Sequence, residues 1–373
     1  MSKKQHQKAE FEQPQKQATA AIDGRNVFDQ GSFCSAVFPS GERYREGSDT
    51  PHAFVPVISK ASIAWIDYNA EHFDKEAFEI ATSLGFSPSL LNSLLNESMS
   101  GYEDLDDEFG MLLPAVLVEG FDVITSPLLI LVRKNFVITI HGAGVRRFVR
   151  LRRYSDTFMR KIPIKSKQKD KITLLLVRLI DENNDRNFDH LREIETHGDH
   201  LSKVLSDTNT SRHSLGPEIY NMKHALISYL NCLWSTQEVL NNLRYGDAEL
   251  ITDDPKLLRR ISGLSSDVHN QIGLAEHLSE VLASGLEVLQ SIYNNQLQIL
   301  NNKLAMLAMY MGVVGTAVLV PNTLATVFSN SAFDMGPEDL WWYVLVLVGS
   351  TVLATYLVYW WIKSSNLLPK SPE

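Results

Sequence analysis

Two long stretches without a charged side chain lie near the C-terminus, and they constrain the fold more than any other feature. Residues 304–333 and 340–362 contain no Asp, Glu, Lys, Arg or His, and a short segment with the acids Asp334, Glu338 and Asp339 separates them. About 20 apolar residues suffice to cross a bilayer as an α-helix. The sequence therefore predicts a helical hairpin that crosses the membrane twice and returns to the same side.

The polar residues that precede the hairpin are expected to stay where they are synthesised. Residues 1–30 carry charge but no apolar signal-peptide segment, and their composition predicts a disordered tail. Lys303, Lys363 and Lys370 flank the two spans, whereas the loop between them has acids and no base. Positive residues favour the cytoplasm. We therefore expect a multi-pass protein of the cell membrane, inner or plasma, with both termini cytoplasmic and residues 330–339 outside.

Composition argues against several classes of function. The net charge of -9 at pH 7 argues against nucleic acid as a partner, and no Gly-x-x-x-x-Gly-Lys-Ser/Thr loop is present for a nucleotide. The two cysteines, Cys34 and Cys232, lie far apart, as is typical of free thiols in a reducing compartment. No Ser-His-Asp or Cys-His arrangement has local support. We therefore predict neither an enzyme nor a resident cofactor.

Residues 31–145 change their pattern several times, which predicts a mixed α+β cytoplasmic domain. Residues 51–68 are rich in β-branched and aromatic side chains and are predicted to form strand pairs. Residues 72–86 and 87–99 have helical spacing and are predicted to form two short helices. Short apolar runs within residues 110–142 are split by Gly, Pro and Lys-Asn, and they predict adjacent strands.

The pattern after residue 145 is almost wholly helical. The predicted helical segment, 146–255, contains two long amphipathic helices at 171–205 and 217–246, with a polar segment between them.

A third helix is predicted to begin near Pro255, and it carries no further proline before Pro321. It forms a stalk over 256–329 that becomes the first span from about residue 304. At 1.5 Å per residue such a helix exceeds roughly 90 Å. A loop at 330–339, the second span at 340–362 and a cytoplasmic tail at 363–373 complete the predicted organisation.

Several motifs, in their order and spacing, resemble the CorA family of divalent-cation (magnesium, cobalt, zinc) transporters over nearly the whole chain. The motifs are Trp65-Ile-Asp67, Leu94-Leu-Asn96, Lys134-Asn-Phe-Val-Ile-Thr-Ile140, Gln271-Ile272 followed by Ser284-Gly-Leu286, Pro321 with Thr323-Leu324, and Met335-Gly-Pro-Glu-Asp-Leu340. The resemblance implies an α/β cytoplasmic domain, a very long helix that becomes the first span, and a homopentamer in the lipid bilayer whose first spans line a central pore.

The chain departs from the family at its signature. The family motif Gly-Met-Asn at the outer end of the first span is absent, and the corresponding position reads Phe328-Ser329-Asn330. In the family this motif captures hydrated magnesium at the pore mouth. The resemblance therefore makes Phe328, Ser329 and Asn330 candidate mouth residues, and the loop acids Asp334, Glu338 and Asp339 would concentrate cations there. A solvated turn is the alternative for these acids.

Aligning Pro321 with the family proline implies a pore-lining stripe along one face of the first span. Its members recur at three- or four-residue steps: Asn302, Met306, Met309, Gly312 or Val313, Thr316, Val320 and Thr323. The polar members suit a cation that keeps its water, as magnesium does, and the Met and Val rings suit constrictions that close by dewetting. Ordinary packing residues of a membrane hairpin are the alternative interpretation.

Two other groups could bind metal. Asp267 matches a family aspartate that helps to hold a regulatory divalent ion, but the position of its family partner is Ser93 here, so the nearby acids Asp104, Asp106 and Asp107 become candidates. His190, His197 and His200 lie near carboxylates at spacings that could bind zinc, although such residues on a charged helix are more often at the surface.

The leading hypothesis is a pentameric channel or transporter for divalent cations such as magnesium, with cobalt, nickel or zinc as other cargo. One alternative is a zinc-type relative that works by efflux or proton coupling. Another is a membrane-anchored scaffold or sensor that does not conduct.

Overall fold

The structure is a computed structural model, and it divides the chain into two compact units. We call Met1–Ala283 the N-terminal unit and Ser284–Glu373 the C-terminal unit. The residues that the structure describes are 28, 31–97, 100–206, 215–246, 248–329 and 336–364.

Seven strands of the N-terminal unit form one sheet in the order β2-β1-β3-β7-β6-β5-β4. The strands are β1 (Ser32–Val37), β2 (Arg43–Ser48), β3 (Ile63–Ala70), β4 (Gly101–Leu105), β5 (Glu108–Glu119), β6 (Asp122–Arg133) and β7 (Phe136–Gly142). Every neighbouring pair is antiparallel except β3 and β7, which run parallel. Because these two strands are parallel, their carboxyl ends meet at one edge of the sheet.

Helices cover both faces of the sheet and continue to the C-terminal unit. They are α1 (Val55–Ile58), α2 (Phe73–Ser83), α3 (Pro88–Leu95), α4 (Arg146–Met159), α5 (Gln168–Asn184), α6 (Asn187–Ser206), α7 (Leu215–Tyr245), α8 (Pro255–Phe328) and α9 (Leu340–Ser364). The predicted α+β unit, the long helix and a second C-terminal helix are therefore confirmed.

Alternation along the strands decides which helix covers which face. Ile66 of β3 and Ile138 of β7 belong to the core beneath α2 and α3, together with Ala77 and Leu90. Successive strand residues point to opposite faces, so Trp65 lies on the other face. There its ring lies 5.5 Å from that of Phe158 in α4. The sheet therefore has α2 and α3 on one side and α4 and its successors on the other.

The predicted strand pairs at 51–68 are wrong for the first half of that segment. A 3-10 turn occupies Pro51–Phe54, and α1 follows it before β3 begins. Pro51 and Pro56 lack a backbone N–H and hold φ near a helical value, so both suit the first turn of a helix and neither can donate to a strand ladder. The sheet instead gains β1 and β2, which the sequence pattern did not predict.

The single helix predicted at 171–205 is also wrong, since the structure has two helices, α5 and α6, in this region. They are separated at Asp185 and Arg186. At the break, the carbonyl of Asn183 accepts a hydrogen bond from the Arg147 side chain, and the Asn183 amide donates to the Pro114 carbonyl at 3.1 Å. At the end of α5, Asn183 thus forms hydrogen bonds with residues that are distant in the sequence.

The C-terminal unit contains the end of α8 and all of α9. Both helices include segments long and apolar enough to cross a membrane. Half-buried residues recur at three- and four-residue steps on each helix, with exposed residues between them. On α9 these residues are Tyr343, Val346, Leu347, Ser350, Thr351, Ala354, Thr355 and Val358. Such spacing is typical of one helix face packed against a neighbour.

Candidate functional site

The threonine hydroxyls of the predicted pore stripe are held by the backbone of α8. Thr316 donates to the Gly312 carbonyl at 2.9 Å, and Thr323 donates to the Leu319 carbonyl at 2.8 Å. With its proton used in this way, each hydroxyl presents lone pairs that can accept hydrogen bonds from water. Such groups suit contact with the water shell of a cation, whose water molecules donate outward.

The stripe divides into exposed and half-buried members within one chain. Asn302, Gly312 and Thr323 are exposed. The half-buried members are Met306, Met309, Val313, Thr316 and Val320. Asn322 and Thr326, which the sequence did not select, are also exposed, and Thr326 donates to the Asn322 carbonyl at 2.8 Å. Whether the stripe lines a pore depends on several copies of the chain, so that role stays a prediction.

Pro321 lies inside α8 and alters its hydrogen bonding. Since proline has no N–H, the carbonyl of Ala317, four residues earlier, lacks its usual helical donor. One backbone oxygen in the middle of the charge-free segment is thereby left for another donor. The sequence placed this proline in the first span but did not assign its carbonyl a part.

The predicted mouth residues fall at the facing ends of the two helices. Phe328 packs its ring 6.1 Å from those of both Trp342 and Tyr343 at the start of α9. Ser329 donates to the Thr326 carbonyl at 2.9 Å.

The acids of the predicted mouth are placed only in part. Glu338 and Asp339 lie exposed in a 3-10 turn, where Asp339 accepts from the Gly336 N–H at 3.2 Å. The predicted residues Asn330 and Asp334 lie outside the described residues. All these positions remain predictions as parts of a mouth.

The predicted regulatory acids are placed on separate elements. Asp267 is on α8, Asp104 is on β4, and Asp106 and Asp107 form the β4–β5 turn. Asp107 forms an exposed ion pair with Lys134 at 2.6 Å, which lowers the pKa of Asp107. Burial and the charge of Asp106 raise the pKa of Asp104. The described part of one chain contains no group of three His, Cys, Asp or Glu that could hold a metal.

The three histidines considered for zinc have different surroundings. His190 is buried with its ring edge-on to Tyr229, while His197 is exposed and its ring is tilted against that of Phe121 with the centroids 5.0 Å apart. His200 is exposed. They do not belong to a metal-binding group among the described residues.

A buried ionic network, which sequence reasoning missed, lies beneath α4. Asp67 accepts from Arg152 Nε at 2.6 Å and from Thr139 at 2.5 Å, and His141 Nε2 lies 3.2 Å from its carboxylate. The side chains of Asp67, His141 and Arg152 are fully buried. Burial alone would raise the pKa of Asp67, but His141 and Arg152 outweigh it and hold that pKa well below its usual range. The network joins β3, β7 and α4.

Comparisons with known proteins agree with this fold. The family described as "CorA-like Mg2+ transporter protein" matches residues 60–364. The cobalt/magnesium transport protein CorA of Methanocaldococcus jannaschii is 20% identical over 297 residues, which cover 79% of this chain and 89% of that protein.

Two solved structures share the fold at low sequence identity. The complete structure of the CorA magnesium transporter from Methanocaldococcus jannaschii is similar with a TM-score of 0.66 at 18% identity, covering 87% of this chain and 96% of that one. The ZntB cytoplasmic domain from Vibrio parahaemolyticus is similar with a TM-score of 0.53 at 16% identity, covering 71% of this chain and 100% of that one.

Proposed function

Since this chain belongs to the CorA family, we propose that it is a homopentameric membrane channel for divalent metal cations such as magnesium, driven by the membrane potential. The main support for this proposal is that α8 runs as one helix into the charge-free segment. This helix is continuous from Pro255 to Phe328, and its last third is charge-free and carries hydroxyls at Thr316 and Thr323. Five copies convert each of these residues into a ring of oxygen atoms.

The chemistry of these rings suits a hydrated divalent cation. Magnesium gives up its water reluctantly and prefers oxygen contacts. A hydroxyl that already donates to its own helix can only accept, so Thr316 and Thr323 would each accept from the water molecules of the ion. The rings of Met306, Met309 and Val313 would form apolar constrictions that close when they lose water.

The energy for uptake comes from the membrane potential. A divalent cation that enters a cell at about -100 mV gains roughly 4.6 kcal/mol, twice the 2.3 kcal/mol for one elementary charge. No chemical fuel is then required. The acids Glu338 and Asp339 are exposed on the loop side of α9, where they would raise the local concentration of cations.

The proposal is tested by flux into liposomes. Purified protein is reconstituted with a metal-sensitive dye inside, an inside-negative potential is imposed, and Mg²⁺, Co²⁺, Ni²⁺ or Zn²⁺ is added outside. We expect Mg²⁺ influx that rises with the potential. Preference for Zn²⁺ with a dependence on a proton gradient would instead favour a zinc-type relative, and no flux of any metal would favour a non-conducting scaffold.

A matched pair of variants tests the pathway itself. Thr323→Val removes a hydroxyl from the predicted pore face, whereas Thr351→Val removes one from α9, where Thr351 donates to the Leu347 carbonyl at 2.6 Å. We expect reduced flux only for Thr323→Val. Equal flux in both variants would contradict the role of the Thr323 hydroxyl in contacting the hydrated ion.

The altered signature is tested at Asn330. If the side-chain amide of Asn330 supplies oxygen to the water shell of the ion, Asn330→Ala removes one ring of oxygens and abolishes uptake, while Ser329→Ala has a mild effect. Normal uptake by Asn330→Ala would contradict this role and would favour the Thr323 and Thr316 rings as the place where the ion is selected.

Assembly and orientation are separate parts of the proposal. Native mass spectrometry in detergent is expected to give a pentamer, and a monomer or dimer would contradict it. With both termini cytoplasmic, a cysteine introduced by Ser331→Cys should react with an impermeant thiol reagent in whole cells, whereas one introduced by Ser371→Cys should not.

A further inference from the structure

A cavity of about 990 Å³ lies in the N-terminal unit, beside the edge of the sheet where the parallel strands β3 and β7 end. Its wall includes Asn69 from β3, the Ala143–Val145 loop that follows β7, and residues of α4 and α6. Ligands in open α/β sheets bind outside the carboxyl ends of the strands. The position of the cavity is therefore one where a small molecule is expected.

The wall of this cavity is strongly basic. Among the described residues that line it are five arginines, namely Arg146, Arg147, Arg150, Arg152 and Arg186, and one acid, Glu119. Arg152 is paired with Asp67, as described above. In the described part of the chain, the other four arginines have no carboxylate within 4.0 Å. The cavity thus gathers cationic groups that form no close ion pair with a carboxylate among the described residues.

Arg147 is the clearest case of an arginine in this wall that has no carboxylate at ion-pair distance among the described residues. Arg147 is 9% exposed, and its guanidinium donates to two neutral carbonyls, those of Asn183 and Val116. Burial lowers the pKa of Arg147, and the charges of Arg186 and Arg150 act in the same direction, whereas Tyr229 and the charge of Glu182 act against them. A buried cation among other cations costs free energy, and an anion in the cavity would offset that cost.

The N-terminus of α4 adds donors to the same wall. Its N-cap is Val145, which makes no side-chain cap, and its first turn contains Arg146 and Arg147 without an acid. Helices usually place acids at this end because the aligned peptide dipoles make it positive. The Arg146 N–H donates to the Gly144 carbonyl at 3.1 Å, and a ligand anion would accept from the N–H groups that follow it in this turn, as anions at helix N-termini commonly do.

His190 is a buried polar side chain in the same wall. It lines the wall and is 6% exposed, yet its Nδ1 has no hydrogen-bond partner within the described chain. Burial, followed by the charge of Arg147, lowers the pKa of His190 and favours the neutral ring.

We propose that this cavity binds a phosphorylated small anion, which is a function beyond cation transport. Guanidinium groups match phosphate oxygens in pairs, and several guanidiniums with a helix N-terminus suit a ligand that carries several negative charges. The volume lies at the upper end of the range for small-molecule sites. Val116, Leu117 and Ile124 form an apolar part of the wall that could take a nucleoside, so the phosphates belong either to a nucleotide or to a free polyphosphate.

The experiment measures binding to the purified full-length protein in detergent by titration calorimetry. Tripolyphosphate and ATP are titrated separately at low salt and without a divalent metal. We expect saturable binding with one site per subunit. Tighter binding of ATP assigns the ligand to nucleotides, and equal binding of the two probes assigns recognition to the phosphates alone.

Exposed arginines of the wall serve as variants because their replacement leaves the core intact. Arg146→Gln and Arg186→Gln each remove one charge-assisted contact and should weaken binding about tenfold or more. Arg160→Gln is the matched control, since Arg160 is exposed at the other end of α4 and does not line the cavity. Thermal unfolding confirms that each variant is folded. Absence of saturable binding, or equal weakening by all three variants, would overturn the proposal.

Discussion

The N-terminal unit buries the large apolar side chains of its sheet, whereas the spans of the C-terminal unit expose most of theirs. Trp65 and Phe33 are fully buried between the sheet and α4, whereas Trp341 of α9 is 81% exposed and Leu319 of α8 is 62% exposed. An apolar surface of this extent is stable in lipid and costly in water. The N-terminal unit therefore suits water and the spans of the C-terminal unit suit lipid, so a charge placed on the surface of each should have a different cost.

Charges follow the same division. The N-terminal unit can bury Asp67, His141 and Arg152 because they neutralise and bond one another. The spans of the C-terminal unit contain no charged side chain between residues 304 and 333 or between 340 and 362. Polar groups in these spans are hydroxyls that donate to their own helix, as Thr316 and Thr351 do. The N-terminal unit also contains such hydroxyls, for example Thr236, so what distinguishes it is the buried group of charged side chains.

The largest expected effect comes from Asp67→Asn. The variant leaves the buried Arg152 without its carboxylate, which should lower the free energy of unfolding by about 3–5 kcal/mol. Chemical denaturation of the N-terminal unit within the full-length protein, followed by tryptophan fluorescence, measures the loss. The control is Asp156→Asn, because the exposed pair of Asp156 with Arg43 should contribute no more than about 1 kcal/mol. A similar loss in both variants would contradict the role of burial.

A lysine in the middle of α9 should have the next largest effect. Leu353 is 60% exposed, and Leu353→Lys should cost about 2.5–3.5 kcal/mol of insertion free energy if this surface meets lipid. The matched change Ile227→Lys, on α7 of the N-terminal unit, starts from 48% exposure and should change stability by about 0.5 kcal/mol or less. The fraction that resists carbonate extraction from membranes reports insertion. Full insertion of Leu353→Lys would contradict the inference that this surface of α9 meets lipid.

A smaller effect is expected from acid. Since the pKa of Asp67 is depressed in the folded protein, its stabilising contribution is fully present above the ordinary carboxyl pKa of about 3.9. This contribution is lost as the pH falls below that value towards the folded pKa. The gap in unfolding free energy between wild type and Asp67→Asn should therefore narrow below about pH 4. Denaturant midpoints between pH 7 and pH 3 measure it, and a constant gap would mean that Asp67 is not ionised in the fold.

Local signals in the sequence predicted the elements whose residues satisfy one another. The helix predicted at 87–99 appears as α3, and Ser87 caps it by accepting from the Leu90 N–H. The helix predicted from Pro255 appears as α8, where Asp254 accepts from the Lys256 N–H at 3.0 Å. Caps and proline positions act over three or four residues, so a local pattern suffices to find them.

Elements that depend on distant partners were not predictable in this way. The break between α5 and α6 depends on Arg147, Val116 and Pro114, which are remote in sequence from Asn183. The basic cavity and the Asp67 network were not predictable either. Arg147 and Arg186 of the cavity lie on different elements, and so do the members of the Asp67 network. A charge pattern along one segment gives no sign that these side chains meet.

The amino-acid sequence is enough to predict the two charge-free spans and one very long helix, because length, hydropathy and proline placement are properties of consecutive residues. It also supplied the family motifs whose order covers the chain. Packing in three dimensions places β3 parallel to β7, pairs Asp67 with Arg152, and brings four arginines around one cavity. Among the described residues, none of these four has a carboxylate within 4.0 Å. These features arise where elements pack together, and the free energy of each depends on partners that the local sequence does not contain.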